Sequence, residues 1–182
     1  VEIKRDGLGI PSVRAESRVD LARAMGFLHG QERFFQMDLS RRRAAGELAA
    51  LVGPRALVLD KEIRIHRFRP SAHRAIELLK PPDRALLDAY TAGVNAGLTS
   101  LAAKPFEYYL LRQEPQAWRP EDSLLVVLSM FITLQDTDGS YEAALATMSD
   151  VLPPQMFALM APQGTEWDTP VTGEPFETPP IP

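Results

Sequence analysis

Histidine and carboxylate side chains are the first candidates for chemistry in this sequence. His29 and Glu32 lie three residues apart within a helical pattern, a spacing that can place both side chains on one metal ion. No second pair of this kind follows, so a structural histidine is the more common interpretation. His66 and His73 lie among arginines without a matching carboxylate cluster, and we interpret both as structural or solvated.

The motifs of common catalytic sites are missing from the sequence. It contains no G-x-S-x-G nucleophile turn, no phosphate-binding P-loop and no dinucleotide-binding glycine pattern. We therefore predict no catalytic residue in this chain.

An acidic turn offers a second place for a metal. Asp136, Asp138 and Glu142 follow the pattern D-x-D-G-x-x-E, and carboxylate oxygens are ligands that calcium prefers. The segment is too short for an EF-hand loop. Acidic residues also stabilise the first turn of a helix, where they face the positive end of its dipole. Both interpretations stay open from the residues alone.

Arginines crowd one face of the predicted helix that contains residues 41–43. Such a run is usually a solvated helix face. Arginine also pairs bidentately with carboxylates across buried polar interfaces. We therefore predict that Arg33, Arg41, Arg42 and Arg64 meet carboxylates of another chain.

Composition limits the classes of function. The chain has 182 residues, of which 45% are hydrophobic, enough for one domain or a piece of one. A net charge of −4 excludes a generally basic nucleic-acid-binding protein, so we predict no nucleic-acid partner. No apolar run approaches about 18 residues, so we predict no membrane partner. The absence of cysteine excludes both a disulfide and a thiol nucleophile.

The segment 17–53 is central to the chain. Ser17 and Asp20 predict a capped helix start, and apolar residues then recur at spacings of three and four. A helix of about 35 residues would be long for a globular domain, so we predict two helices or one bent helix. Three glycines mark where it can break or be closely approached: Gly26, Gly30 and Gly46.

The remaining segments predict a hairpin, further helices and a tail. Residues 1–15 alternate apolar and polar types around a turn, which predicts a β-hairpin that joins a sheet supplied largely from elsewhere. Helical patterns fill 17–160, and the most apolar helix, ending at about Leu134, should be central. The proline-rich segment 162–182 predicts an irregular tail. The fold class is α+β, in one mainly helical domain fragment over 1–182 whose two ends look cut.

Several motifs, in order, resemble the alpha (small) subunit of penicillin acylases. The run GFLHGQERFFQMDLSRRRAAGELAALVG, preceded by VEIKRDGLGIPSVRAES, resembles the hairpin and first helix of that subunit. Similar motifs follow at DKEIR (60–64), DAYTAGVNAGL (88–98) and WRPED (118–122). The resemblance covers roughly residues 1–145.

This resemblance implies an N-terminal nucleophile hydrolase. In such enzymes a serine freed as the first residue of the beta chain attacks an amide, with its own alpha-amine as base, and an oxyanion hole stabilises the intermediate. The present chain would be the non-catalytic half, and its hairpin would complete a four-layer αββα sandwich with the beta chain. The resemblance also implies a secreted or periplasmic precursor, cleaved into two chains, without an organic cofactor.

The resemblance assigns part of an acyl pocket to the end of the apolar helix. The family has a methionine there and, four residues on, a phenylalanine preceded by arginine. Counted from the Trp-x-Pro-x-Asp motif, these positions are Phe131, Leu134 and Gln135. With one residue inserted they become Ile132, Gln135 and Asp136, so the arginine and second aromatic are replaced either way. The residues expected to contact substrate are Met130, Phe131, Ile132, Leu134 and Gln135.

The resemblance also implies a calcium ion between the subunits, with one glutamate ligand from the alpha chain. Glu142 matches that glutamate if one residue is inserted after the same motif. Because calcium requires several oxygen ligands, the beta chain would supply the others and the ion would be structural.

Two substrate classes and one alternative function follow. The expected reaction is hydrolysis of the side-chain amide of a beta-lactam, from penicillin to 6-aminopenicillanic acid and a carboxylic acid. The alternative substrate is an N-acyl homoserine lactone, and a long aliphatic acyl group is compatible with the sequence. An alternative of another class is an autonomous helical binding module, which would fold alone, whereas half of a sandwich would aggregate or stay molten.

Overall fold

The computed structural model describes residues 1–135, 138–165, 167–168, 170–174 and 176–182. These residues form two compact units, Val1–Leu134 and Gln135–Pro182, where the sequence predicts a single domain fragment. Asp136, a candidate in both the acidic turn and the acyl pocket, lies outside the described residues.

An antiparallel hairpin opens the first unit, as predicted. Strand β1 (Glu2–Arg5) pairs with strand β2 (Pro11–Arg14). The Asp6 side chain closes the turn, because its Oδ1 accepts hydrogen bonds from the backbone N–H groups of Leu8 and Ile10, each at 2.9 Å. Every residue of β1 is exposed, so neither face of this strand is covered by the chain itself.

A series of helices follows in the first unit. They are α1 (Arg18–Glu32), α2 (Phe34–Ala45), α3 (Ala49–Val52), α4 (Leu57–Arg64), α5 (Phe68–Glu77), α6 (Pro81–Thr99), α7 (Phe106–Leu111) and α8 (Pro120–Leu134). A short 3-10 turn over Pro54–Ala56 precedes α4. The mainly helical α+β class predicted from the sequence is therefore confirmed.

The helical segment predicted over 17–53 is divided, as expected. Ser17 caps α1, since its Oγ accepts a hydrogen bond from the Asp20 N–H at 3.1 Å. The first break falls at Arg33, between α1 and α2, and not at a glycine. Gly46 ends α2 in the left-handed conformation with φ of 67°, which glycine adopts without a Cβ clash.

Helices α1 and α6 meet backbone to backbone through four glycines. A Cβ on Gly26 or Gly30 would lie 2.2 Å from a carbonyl oxygen of α6. A Cβ on Gly93 or Gly97 would lie 2.0 Å from a carbonyl oxygen of α1. The close approach predicted at Gly26 and Gly30 is therefore confirmed, and α6 supplies matching glycines on its own side.

Two clusters of buried side chains hold the first unit together. One includes Phe34 of α2, Tyr108 of α7 and Trp118 of the connector before α8. The other joins α8 to α2, α4 and α5, and its members are Ala44, Ile63, Ala72, Leu125 and Ile132. Helix α8, which the sequence predicts to be central, thus packs against α2, α4 and α5 on one of its faces.

The second unit contains α9 (Ser140–Val151) and α10 (Pro154–Met160). After Met160 the described residues form no helix or strand, in the segment where the sequence predicts an irregular tail. None of the helices in the described part of the chain is both long enough and apolar enough to cross a membrane.

Candidate functional site

The C-terminal half of α8 exposes a row of apolar side chains. Val127, Met130, Phe131 and Leu134 recur at spacings of three and four, which puts them on one side of the helix. Their exposed fractions run from 46% for Phe131 to 72% for Leu134. The Phe131 ring contacts Phe68 of α5 edge to face, with ring centroids 5.9 Å apart. We call these four residues the apolar face of α8.

The structure separates the residues predicted to contact substrate. Met130, Phe131 and Leu134 lie on the apolar face. Ile132 lies on the opposite side of α8, where its side chain is 8% exposed and belongs to the second core cluster. Gln135 is exposed and is the first residue of the second unit. Consecutive residues of a helix point in different directions, so in a helix packed on one side Phe131 is exposed and Ile132 is buried.

Glu142, the predicted calcium ligand, is exposed in the first turn of α9. The described residues contain no group of three histidine, aspartate or glutamate side chains that could hold a metal ion. Calcium takes six to eight oxygen ligands. The described residues therefore do not form a calcium site by themselves.

Buried charges fasten the N-terminal end of α8 to its neighbours. The Asp122 carboxylate is 1% exposed, and its Oδ2 accepts hydrogen bonds from Arg41 Nη1 at 2.6 Å and from the Arg119 N–H at 2.8 Å. Its Oδ1 accepts a hydrogen bond from Arg69 Nη1 at 3.2 Å. Charge-assisted hydrogen bonds of this kind are stronger than neutral ones. They hold α8 against α2 and α5 and so position its apolar face.

Asp38 of α2 is the second carboxylate of this cluster and is fully buried. Its Oδ1 accepts hydrogen bonds from Arg41 Nε at 2.7 Å and Arg42 Nε at 2.8 Å. Its Oδ2 accepts a hydrogen bond from Tyr108 Oη at 2.7 Å. Burial and the hydrogen bond to Asp38 raise the pKa of Tyr108, so the hydroxyl stays protonated and remains a donor. One carboxylate thereby connects α2 to α7.

Arg41 and Arg42 do not lie on a solvated helix face, and the carboxylate that the sequence assigned to another chain comes from this one. Their exposed fractions are 4% and 6%, and both pair with Asp38 inside this chain. Arg64 also bonds internally, because its Nε donates to the backbone carbonyl that follows α2 at 2.8 Å. Arg33 is exposed. Asp38 precedes the two arginines by three and four residues, the helical spacing from which the internal pairs could have been predicted.

The histidine interpretation is borne out by the contacts. His29 Nδ1 lies 2.9 Å from Tyr90 Oη of α6, while Glu32 pairs with Arg5 of the hairpin at 2.5 Å. His66 stacks on a phenylalanine ring with centroids 5.0 Å apart, and His73 Nε2 lies 3.5 Å from a glutamate oxygen. His29 and Glu32 thus serve two separate contacts between elements and do not converge on one point.

Known proteins resemble this chain in both sequence and fold. The sequence profile of the family described as Penicillin amidase matches residues 1–168. The penicillin acylase 2 proenzyme of Pseudomonas sp. (strain SE83) is 42% identical over 127 residues, covering 70% of this chain and 16% of the proenzyme. The acyl-homoserine lactone acylase QuiP of Pseudomonas aeruginosa is 32% identical over 157 residues, covering 84% of this chain and 18% of QuiP.

Among solved structures, a thermostable penicillin G acylase from Alcaligenes faecalis has a similar fold. The two chains superpose with a TM-score of 0.72 at 25% sequence identity, covering 96% of this chain and 97% of the other. The chain spans about a sixth of the length of the curated relatives, yet nearly all of this solved chain. With the family profile covering residues 1–168, the chain belongs to the penicillin amidase family.

Proposed function

We propose that this chain is the alpha subunit of a two-chain amidohydrolase that removes the acyl side chain of beta-lactams. The observation that carries the proposal is the match to a solved penicillin G acylase chain over 97% of that chain, while in a relative named as a proenzyme the match covers only 16% of the length. A nucleophilic serine would begin the beta subunit. The present chain would bind and orient the acyl group.

The exposed hairpin supports a second chain as partner. A two-stranded ribbon is marginally stable in water without further strands or a packed face. Strand β1 is exposed along its length, and Ile10 and Leu8, beside the turn, are 58% and 87% exposed. Pairing of this hairpin with a sheet of the beta subunit would cover these residues and would complete a four-layer αββα sandwich.

The apolar face of α8 supports the acyl-binding role. Val127, Met130 and Leu134 offer aliphatic and thioether surface, and Phe131 adds one aromatic ring. A substrate acyl group that buries itself against this face gains binding energy in proportion to its apolar area. The serine of the beta subunit would then attack the amide carbon, and water would hydrolyse the acyl-enzyme to a carboxylic acid after the amine has left.

The subunit composition of the native protein tests the proposal directly. Intact-mass analysis and N-terminal sequencing of purified material should find this chain with an equimolar second polypeptide whose first residue is serine. A single folded and monodisperse species of 20.2 kDa would overturn the two-chain proposal and favour a helical binding module.

N-acyl homoserine lactones are the second candidate substrates. The specific observation in their favour is the aliphatic character of Val127, Met130 and Leu134, which suits a long acyl chain as well as an aromatic one. The QuiP relatives add support, since the match to the Pseudomonas aeruginosa protein covers 84% of this chain.

Replacing Leu134 with alanine should change the choice between these substrates. The ratio of kcat/KM for a long-chain acyl homoserine lactone over that for penicillin G should change about tenfold, because each methylene contact in an apolar pocket contributes about 1–3 kcal/mol to discrimination. Leu110→Ala is the matched control, since Leu110 is 75% exposed on α7 and not on the apolar face. If both variants keep the original ratio, Leu134 does not contact the acyl group.

Calcium is a proposed structural ion of the two-chain protein, with Glu142 as the ligand from this chain. Its exposed carboxylate would complete an oxygen shell supplied mainly by the partner. Metal analysis after extensive dialysis should find one calcium per heterodimer, and Glu142→Gln should lower the melting temperature in calcium without changing it in chelator. Calcium-free wild-type protein after dialysis would refute this assignment.

We further propose a periplasmic or secreted location, because the resemblance implies an exported precursor that is processed after synthesis. Cell fractionation with an antibody against this chain should place the mature protein outside the cytoplasm. Mature protein confined to the cytoplasmic fraction would contradict this.

A further inference from the structure

A polar cleft of about 460 Å³ opens beside the buried charge cluster of the first unit. Its walls come from α2, α5 and the connector before α8, and they include Arg42, Glu47, Arg69, Gln116, Arg119 and Asp122. The cleft lies at the N-terminal end of α8, whereas the apolar face that carries the proposed acyl contacts occupies the C-terminal half of that helix.

The acceptor groups of the cleft are already used. Asp122 accepts hydrogen bonds on both oxygens, from Arg69 on one and from Arg41 and the Arg119 N–H on the other. Both oxygens of Glu47 accept from Arg69, at 2.7 Å each. A cation entering this cleft would therefore find carboxylates whose charge is already neutralised.

Donor groups, in contrast, remain available. Arg42 is 6% exposed, and its Nε donates to Asp38. Its two terminal nitrogens, Nη1 and Nη2, have no hydrogen-bond partner among the residues that the structure describes, although Arg42 lines the cleft. The Arg119 side chain stands at the rim, 68% exposed, where its Nη1 lies 3.8 Å from a carboxylate oxygen of Glu121. These nitrogens of Arg42 face the solvent of the cleft, where a charged acceptor from outside can replace water.

The charges around the cleft select the kind of acceptor. The four arginines around the cleft are balanced by four carboxylates, those of Asp38, Glu47, Glu121 and Asp122, so no net positive charge favours a dianion such as phosphate. The free end of a guanidinium group presents two parallel N–H donors, whose spacing matches the two oxygens of a carboxylate. A single negative charge spread over two oxygens fits both conditions.

We propose that this cleft is a carboxylate-binding site in which Arg42 holds the carboxylate through Nη1 and Nη2, and Arg119 closes over it from the rim. The carboxylate has two possible sources, a small carboxylic acid in solution or an acidic residue of the partner subunit. The second source rests on the two-chain protein proposed above, and the first does not.

Formate is the probe for a small carboxylate, used with the purified native protein and with sodium chloride at equal ionic strength as the reference salt. The melting temperature should rise with formate in the wild-type protein and in Arg84→Gln, whose arginine lies on α6 in an exposed pair with Asp88. Arg119→Gln should weaken the apparent formate affinity about tenfold, and Arg42→Lys should do so at least as strongly, because each removes charge-assisted hydrogen bonds.

An acidic residue of the partner would give a different result. Formate would then produce no shift, and Arg119→Gln would increase the dissociation constant of the two chains about tenfold relative to Arg84→Gln. Arg119 is the residue replaced in this comparison because it does not contact Asp38. Its replacement therefore keeps the buried pairs of Asp38 with Arg41 and Arg42, even where Arg42→Lys fails to fold.

Two results would overturn the proposal. One is a formate shift that is equal in wild type, Arg119→Gln and Arg42→Lys. The other is the absence of any formate shift together with chain dissociation in Arg119→Gln that matches Arg84→Gln. Either can occur whether or not the mature protein cleaves beta-lactams, so the outcome is separate from that of the proposed activity.

Discussion

Replacing Gly97 with alanine should lower the free energy of unfolding by about 3 kcal/mol, although alanine is the better helix former. In an exposed helix the same change would gain about 1 kcal/mol. Here the new Cβ would lie 2.0 Å from the Phe27 carbonyl oxygen of α1, and that oxygen belongs to a rigid backbone. The helices must therefore move apart along their shared surface, so the clash outweighs the gain in helix propensity.

Gly7→Ala is the control for the Gly97 prediction, because a Cβ at Gly7 would have no atom within 4 Å. Its free energy of unfolding should stay within about 0.5 kcal/mol of the wild-type value. Urea denaturation followed by circular dichroism measures both variants. A Gly97→Ala protein as stable as Gly7→Ala would mean that α1 and α6 can separate at little cost, and the close approach would then carry no stabilising role.

Replacing Asp38 with asparagine should lower the free energy of unfolding by about 3–5 kcal/mol, the range for removing one partner of a buried ion pair. The change keeps the size of the side chain and removes its charge. Arg42 would then be buried without any carboxylate, while Arg41 would keep Asp122. Tyr108 would also lose the charged acceptor of its hydroxyl group.

Asp88→Asn provides the comparison for the buried aspartate. Asp88 pairs with Arg84 at 2.9 Å on the surface, where such pairs contribute about 0–1 kcal/mol. Chemical denaturation at neutral pH should therefore separate the two variants clearly. Equal stability would show that the buried arginines find compensation elsewhere, and would refute the role assigned here to Asp38.

The Asp38→Asn substitution should also affect the proposed acyl site. Arg41 connects Asp38 of α2 with Asp122 at the start of α8, so a disturbed Arg41 changes how α8 sits on α2. The apolar face belongs to the same helix and would shift with it. In a folded Asp38→Asn protein we therefore expect a change in KM larger than that caused by Asp88→Asn.

Local signals in the sequence were enough for many element boundaries. Ser17 accepts the capping hydrogen bond expected of it, and α8 runs from Pro120 to Leu134, as its apolar pattern predicted. Gly46 ends α2 with a positive φ. These features depend on residues within a turn or two of each other, so a single segment contains the information that determines them.

The candidate site was accessible from the sequence in part. Spacing and resemblance pointed to the C-terminal end of α8, where Met130 and Leu134 are exposed. The sequence did not show that Phe131 is exposed whereas Ile132 is buried, because an apolar residue suits a core and a pocket wall equally well. Which side of α8 faces Ala44 and Ala72 is decided by how that helix packs on α2 and α5.

By itself, the sequence determined the helical class, the hairpin, the family and the close approach at the α1 glycines. The tertiary structure alone decided which charges are buried. Arg41 meets Asp122 across 81 residues of chain, and Tyr108 meets Asp38 across 70. In a sequence, an arginine is normally predicted to lie on the surface, because burial of an unpaired charge is unfavourable. A carboxylate from a distant segment makes that burial favourable, and the two groups meet only once the helices have packed.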